Sequence, residues 1–413
     1  LKVLKKYYHI VENSSSLFLL KVIDLALIIW LIPFLIAKVG LINYGIYAFY
    51  MALMLFFVNV LNYCFNLTTV REVAKYKNEE SKINAIFSEV ISAKLVLGFF
   101  LYLIVALLLF IIPSFREQKE LYIASSLLII SNFFSIQWFF YGIEKMKFIT
   151  IINFFSKLTY VLLVFKFVNF EEDYKWIPLY ESIGLFLVSL ISFFIVVKKF
   201  NVNFKLQKFS DTLVFLRENF NSFLNLLLPS TYGTFIVFFV GIFGLPIHVS
   251  LMEIGVKLTG AFSTINNIMT KVFYPIVNRK VSFRYSARII LLGLGGVLSF
   301  AMYFSGEFLL KHWLHLEDEY HFESASVIVQ ILSPIPILMS FISAFGVNGL
   351  LTLYKDVLFS KITVASFVVM IVTGILVFPY SLLYGGAISF LAGRVVHALL
   401  SYYFFRKRIS HNE

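Results

Sequence analysis

Near-continuous apolar runs alternate with short polar breaks along the whole chain, and each run is long enough to cross a bilayer as a helix, which takes about 20 mainly apolar residues. Twelve such segments can be drawn, at 17–37, 44–65, 86–112, 121–141, 148–169, 175–197, 219–241, 249–274, 288–306, 326–350, 357–379 and 381–405. Helices are expected rather than barrel strands because the runs are unbroken, whereas a barrel alternates lipid-facing and lumen-facing residues in short segments. Six segments fall on each side of a basic interval, Lys198 to Arg217, near the midpoint of the 413 residues. The expected fold is therefore all-α and polytopic, with about 12 transmembrane helices in two six-helix bundles around a central cleft. Residues 1–200 would form the N-terminal bundle, 201–218 a basic cytoplasmic linker and 219–413 the C-terminal bundle.

Composition agrees: 60% of residues are hydrophobic and 14% charged, with mean hydropathy +0.87. No water-soluble fold could hide that many apolar side chains. The net charge of +12 becomes intelligible once Lys and Arg are assigned to loops. One alternating set holds clusters such as Lys2, Lys5 and Lys6, then Arg71, Lys75, Lys77 and Lys82, then Arg279, Lys280, Arg284 and Arg288, and finally Arg406, Lys407 and Arg408. The other set holds only Lys38, Arg116, Lys119, Lys175 and Lys311. The positive-inside rule then puts both termini in the cytoplasm, and a nucleic-acid partner is not needed to explain the basic balance. A signal peptide is disfavoured, because the first apolar run is too long and no small-x-small cleavage pattern follows it.

Arg71 and Arg279, Lys147 and Lys355, Lys198 and Arg406, and Lys199 and Lys407 are each 208 positions apart. That spacing suggests two parallel repeats related by an axis along the membrane normal. Evenly spaced helices with clustered loop charges also produce some such matches, so both readings stand.

Signatures of soluble catalysis are missing: there is no phosphate-binding glycine loop, no His-Glu-x-x-His and no nucleophile elbow. Cys64 is the single cysteine, which leaves no intrachain disulfide and no cysteine zinc site, and its apolar surroundings make it inert. The stretch Glu307–Ala325 reads as the longest outer loop, with His312, His315 and His321 among Glu317, Asp318, Glu319 and Glu323. A solvated loop explains these better than a metal site. No catalytic residue, metal or organic cofactor is expected.

Chemistry is better sought among charges inside the apolar segments, which cost roughly 2.5–3.5 kcal/mol each at mid-membrane on insertion scales. The basic ones are Lys21, Lys94, Lys157, Lys166, Lys257, Lys271 and Arg394; the acidic ones are Asp24, Glu89, Glu181 and Glu253. A net of about +3 suits an anionic headgroup, since guanidinium and ammonium groups pair with phosphate oxygens. In the eighth segment Glu253, Lys257, Gly260, Thr264, Asn267 and Lys271 recur at steps of 4, 3, 4, 3 and 4. They share one helical face, expected to line a hydrated cavity or an interhelical contact, with Glu253 and Lys257 placed for an i, i+4 pair. Lys21 and Asp24 could pair at i, i+3, and His397 follows Arg394 by three residues. Pro33, Pro229, Pro334 and Pro336 offer kinks.

Three stretches carry a family resemblance: Gly40 followed by Tyr44-Gly45-Ile46-Tyr47, then Thr69-Val70-Arg71-Glu72-Val73-Ala74, then Gln137-Trp138-Phe139-Phe140-Tyr141-Gly142-Ile143-Glu144-Lys145-Met146. In their order and spacing the chain resembles the Wzx-type polysaccharide-repeat flippases of the MATE-like, or MOP, exporter superfamily. The resemblance implies O-antigen or related lipopolysaccharide biosynthesis. The substrate would be an undecaprenyl-pyrophosphate-linked oligosaccharide, moved from the cytoplasmic to the periplasmic leaflet of a bacterial inner membrane. It also implies membrane lipids, a polysaccharide polymerase and a chain-length regulator as partners. Relatives commonly have an acidic residue near Asn62 and glutamine where Tyr141 stands, so those roles do not transfer.

The expected mechanism is alternating access coupled to a proton or sodium gradient. Lys257 and Arg394, then Lys94 and Lys157, are expected to touch pyrophosphate. Asp24 or Glu253 would take the coupling ion, and Gly260, Thr264 and Asn267 would line the cavity. A drug or organic-cation exporter of the same superfamily is the alternative, which calls for an acid-rich cleft. A membrane-embedded polymerase fits less well, since it needs a large periplasmic catalytic loop.

Overall fold

The computed structural model describes residues 2–279, 283–316, 318–353 and 355–409, with side chains from Leu19 onward. The expected loop residues Lys280 and Glu317 lie outside the described residues, as do the side chains of Lys2, Lys5, Lys6, Arg279 and Arg408. Among the described residues the regular structure is entirely helical. The chain folds into two compact units, residues 1–43 with 50–231, and residues 44–49 with 232–413.

In the first unit lie α1 (Lys2–Asn62) apart from residues 44–49, α2 (Thr68–Lys75), α3 (Glu80–Ile111), α4 (Pro113–Glu117), α5 (Lys119–Phe133), α6 (Gln137–Gly142), α7 (Met146–Phe167), α8 (Ile177–Lys199), α9 (Phe209–Glu218) and the start of α10 (Phe220–Phe243). The second unit has the remainder of α10, then α11 (Pro246–Arg279), α12 (Phe283–Phe308), α13 (Glu319–Leu332), α14 (Ile335–Phe341), α15 (Asp356–Val377) and α16 (Leu382–Ile409).

Ten helices among the described residues are long and apolar enough to cross a membrane, and together with two refinements they account for all twelve expected segments. The first two segments are two helices, both within α1, that meet at a kink at Gly40, whose φ of 78° and ψ of 160° are non-helical and fall where a side chain is disfavoured. The eighth segment is α11, helical throughout, which carries Glu253, Lys257 and Lys271 and does not stand among the ten. One expectation needs correcting: Glu307–Ala325 is not a long loop. Helix α12 runs on through a π-turn to Trp313 and α13 begins at Glu319, with Asp318 accepting a hydrogen bond from the His321 backbone N–H as its N-cap.

Hydrocarbon offers no hydrogen bonds, so polar groups in these helices must find partners within the protein. Serine and threonine hydroxyls largely turn back to the carbonyl four residues earlier, as Ser125 does to Leu121 and Thr259 to Gly255. Other groups join helices: Tyr122 donates to the Val105 carbonyl, Tyr102 to Ser126 and Ser131 to Ser182. Pro334 and Pro336 interrupt the tenth segment, and Ser299 of α12 accepts the N–H of Ile337 freed by that break.

Two of the recognisable sequence stretches meet in the first unit. A β-carbon on Gly142 of α6 would fall on the Val73 side chain and 3.3 Å from the Val70 carbonyl of α2, so only glycine lets these short helices touch. Around that contact Val73, Trp138, Phe139 and Phe140 join one buried cluster. Gly142→Val should therefore destabilise the protein by about 1–3 kcal/mol, as overpacking does. Thermal unfolding in detergent would measure this, and adding Val73→Ala should restore part of the loss.

The central basic interval is ordered by a match of spacings. Backbone N–H groups of Asn203, Lys205 and Gln207 donate to the side chains of Asn84, Ser88 and Ser92 at 2.9, 3.0 and 2.9 Å. Two residues of extended chain rise about 6.6 Å and four of a helix about 6 Å. Alternate amides can thus follow successive turns of α3. Helix α9 comes next, burying Thr212 while Tyr63 donates to the Leu216 carbonyl at 2.6 Å.

Candidate functional site

In the first unit α1 presents Lys21 and Asp24 one turn apart, and α7 brings Lys157 to the same carboxylate. Lys21 Nζ lies 2.9 Å from Asp24 Oδ2 and Lys157 Nζ pairs with Oδ1. The i, i+3 half of this triad is readable from spacing, but the Lys157 half arises only from tertiary packing. Glu181 of α8 is within electrostatic reach of Lys157, so the four groups nearly balance. The triad is not sealed, since the side chains of Lys21, Asp24 and Lys157 retain 42%, 28% and 23% exposure.

Lys94 has a different fate. It is 1% exposed, and its ammonium donates to the carbonyls of Asn132 at 2.9 Å, Phe133 at 3.4 Å and Ser135 at 2.8 Å. An ammonium has three donors, so the end of α5 takes them all, and a positive charge there also suits the negative end of the helix dipole. The expected phosphate contact is here the joint between α3 and α5.

In the second unit Glu253 and Lys257 form the i, i+4 pair, Nζ to Oε1 at 3.2 Å. The stripe read from spacing is the open face of α11: Gly260, Asn267 and Lys271 are exposed and Glu253, Lys257 and Thr264 half-buried. A β-carbon on Gly260 would touch nothing within 4 Å, and the Thr264 hydroxyl donates to the Gly260 carbonyl of its own helix. A second polar row went unnoticed in the sequence, Thr259, Ser263, Asn266 and Thr270, which is buried. Its 4, 3, 4 spacing was the available signal. Tyr44, in the stretch that carries the family resemblance, is buried within electrostatic reach of Glu253.

Arg394 of α16 is 8% exposed, with its guanidinium 4.0 Å from the Tyr232 ring and 5.3 Å from that of Phe390. Such stacking on aromatic faces is what arginine does and lysine does poorly. His397, one turn on, is fully enclosed beside the Phe359 ring. The structure thus separates the four expected phosphate contacts. Lys257 and Lys157 sit in half-open ion pairs, whereas Lys94 is taken up by carbonyls and Arg394 is buried against aromatic rings with its Nε lacking a hydrogen-bond partner.

Polytopic helices of this length, with partly open charges inside apolar segments, define a multi-pass membrane protein. Its fold is that of the MATE transporters. A multidrug resistance MATE family transporter of the MOP superfamily, solved in an inward-facing conformation, superposes with a TM-score of 0.66 at 15% identity, covering 95% of this chain and 94% of that one. Residues 10–281 match the family described as "Polysaccharide biosynthesis protein", and the chain belongs to that family. It is 26% identical over 385 residues to a protein of Escherichia coli (strain K12) named "Putative O-antigen transporter", covering 91% of each. A protein of the same name from Shigella dysenteriae is 25% identical over 288 residues, 68% of this chain and 71% of that one.

Proposed function

We propose that this protein is a flippase for undecaprenyl-pyrophosphate-linked oligosaccharide repeat units of O-antigen or a related surface polysaccharide. It would move them from the cytoplasmic to the periplasmic leaflet of a bacterial inner membrane, with both termini cytoplasmic. The observation that carries this reading is the α11 face, where half-buried Glu253, Lys257 and Thr264 alternate with exposed Gly260 and Asn267 and put an ion pair within a long helix. Family membership and the naming of the two relatives support it. The E. coli relative matches over almost its full length.

Such a substrate must cross about 30 Å of hydrocarbon without leaving its charge and hydroxyls unpartnered. Lys257 is the pyrophosphate contact, and Glu253 holds it while the site is empty. Loading exchanges one anionic partner for another, so the lysine never stands alone. Lys157 is the second contact, and Asp24 and Glu253 are the carboxylates that take a coupling proton or sodium ion as the protein alternates its access. The polyprenyl tail stays in lipid.

The test is transbilayer movement of a labelled undecaprenyl-pyrophosphate oligosaccharide in liposomes containing the purified protein, run beside a cationic dye under imposed ion gradients. Lipid movement without dye movement is expected. Lys257→Gln should slow it 10- to 100-fold, the equivalent of a charge-assisted hydrogen bond of about 1.5–3 kcal/mol. Dye movement without lipid movement would assign the protein to organic-cation export.

A further inference from the structure

At the ends of α12 and α16 that carry the basic residues Arg284, Arg288, Arg406 and Lys407, the second unit has an open cavity of about 860 Å³. Its lining combines these cations with rings and aliphatic groups: Arg288, Arg406 and Lys407, with Phe345, Tyr402 and Leu292 beside them. Among the described residues no acidic side chain lines it. Ile289 and Tyr403, which also line it, are more than half exposed, so the cavity opens to the surface of the unit.

Arg288 is the unusual member. Its guanidinium lies 4.3 Å from the Phe405 ring and 5.9 Å from that of Phe345, and its Nε is buried with no hydrogen-bond partner. Arg406 lies 5.6 Å from the Tyr402 ring. Among the described residues neither arginine pairs with a carboxylate. Arg288 is half-buried and Arg406 exposed, so the shielded Nε of Arg288 lacks a partner while the planar fork of donors on each arginine stays open to phosphate oxygens. Stacking on rings leaves the in-plane donors directed past the ring edges. The aliphatic wall suits the first methylenes of a lipid chain, and the volume lies within the range of about 300–1,000 Å³ usual for small-ligand sites.

We propose that this cavity binds the phosphate of an anionic lipid, with Arg288 and Arg406 on the phosphate oxygens and Leu292 and Phe345 against the start of the chain. Two sources share that chemistry: an anionic phospholipid of the surrounding leaflet, and a polyprenyl pyrophosphate. The site is distinct from the charges of α1, α7 and α11, and its existence does not depend on the transport reading.

Native mass spectrometry of the delipidated full-length protein in neutral detergent would test it, with phosphatidylglycerol, phosphatidylcholine, undecaprenyl pyrophosphate or inorganic pyrophosphate added. An anionic lipid should be retained at least tenfold better than phosphatidylcholine. Retention should fall at least tenfold in the double variant Arg288→Gln, Arg406→Gln. It should also fall in Leu292→Trp, which fills the cavity and leaves every charge in place; each variant is first matched to the wild type by size-exclusion elution. Preference for phosphatidylglycerol would make this a bilayer-lipid site, and preference for undecaprenyl pyrophosphate a docking place for a polyprenyl substrate. Equal retention of phosphatidylcholine, unchanged retention in both variants, or inorganic pyrophosphate binding as tightly as either lipid would overturn the proposal.

Discussion

Lys94→Met should lower the unfolding free energy by about 3 kcal/mol while leaving transport per folded molecule near the wild-type rate. Methionine keeps most of the side-chain volume but removes every donor from the carbonyls of Asn132, Phe133 and Ser135. An acceptor left unsatisfied in a buried setting costs about 1–3 kcal/mol, and loss of a cation at a helix C-terminus costs up to about 2 kcal/mol more. Relief of the buried ammonium's desolvation offsets part of that sum. Thermal unfolding in detergent reads the stability, and the liposome assay, normalised to folded protein, reads the transport. The opposite pattern, unchanged stability with lost transport, would return Lys94 to the substrate.

This case shows where sequence reading reaches its limit. The apolar runs determine where helices lie because the bilayer sets their length, although the structure extends some of them, α1 back to Lys2 and α3 back to Glu80. Glu253 with Lys257, and Lys21 with Asp24, were legible because helical spacing alone makes neighbours of residues three or four apart. Lys94, Lys157 and Arg394 were equally conspicuous as intramembrane charges, yet their partners lie far along the chain. Nothing local tells that Lys94 would meet the broken end of α5 at Asn132–Ser135, or that Tyr232 would lie beneath Arg394. The α11 stripe was legible as a face, but the buried row beginning at Thr259 has the same periodicity. Periodicity shows that a face exists; only packing decides which face is covered. The strap at 203–207 was illegible for a related reason, because it depends on a match between an extended segment and the turn spacing of α3.

Asp24→Asn should reverse the Lys94 pattern, reducing transport at least tenfold while changing stability by no more than about 1 kcal/mol. The small stability term follows from exposure: Asp24 and its two lysines are all partly open, and ion pairs in such settings contribute about 0–1 kcal/mol. The large functional term follows from charge. Asparagine is close to aspartate in shape but cannot neutralise Lys21 and Lys157 together, so two ammonium groups would share a site in an apolar segment with Glu181 left as the counter-charge acting on Lys157. It also mimics a permanently protonated carboxyl, so if Asp24 exchanges the coupling proton, the residual transport should no longer respond to an imposed proton gradient. Asp24→Glu, which keeps the charge on a longer stem, should recover part of the rate and the gradient response, whereas Lys21→Gln should have the smaller effect because Lys157 still holds the carboxylate. Should Asp24→Asn transport at the wild-type rate and with the wild-type gradient response, the triad would be a tether between α1 and α7, and the coupling role would pass to Glu253, whose carboxylate already holds Lys257 at 3.2 Å.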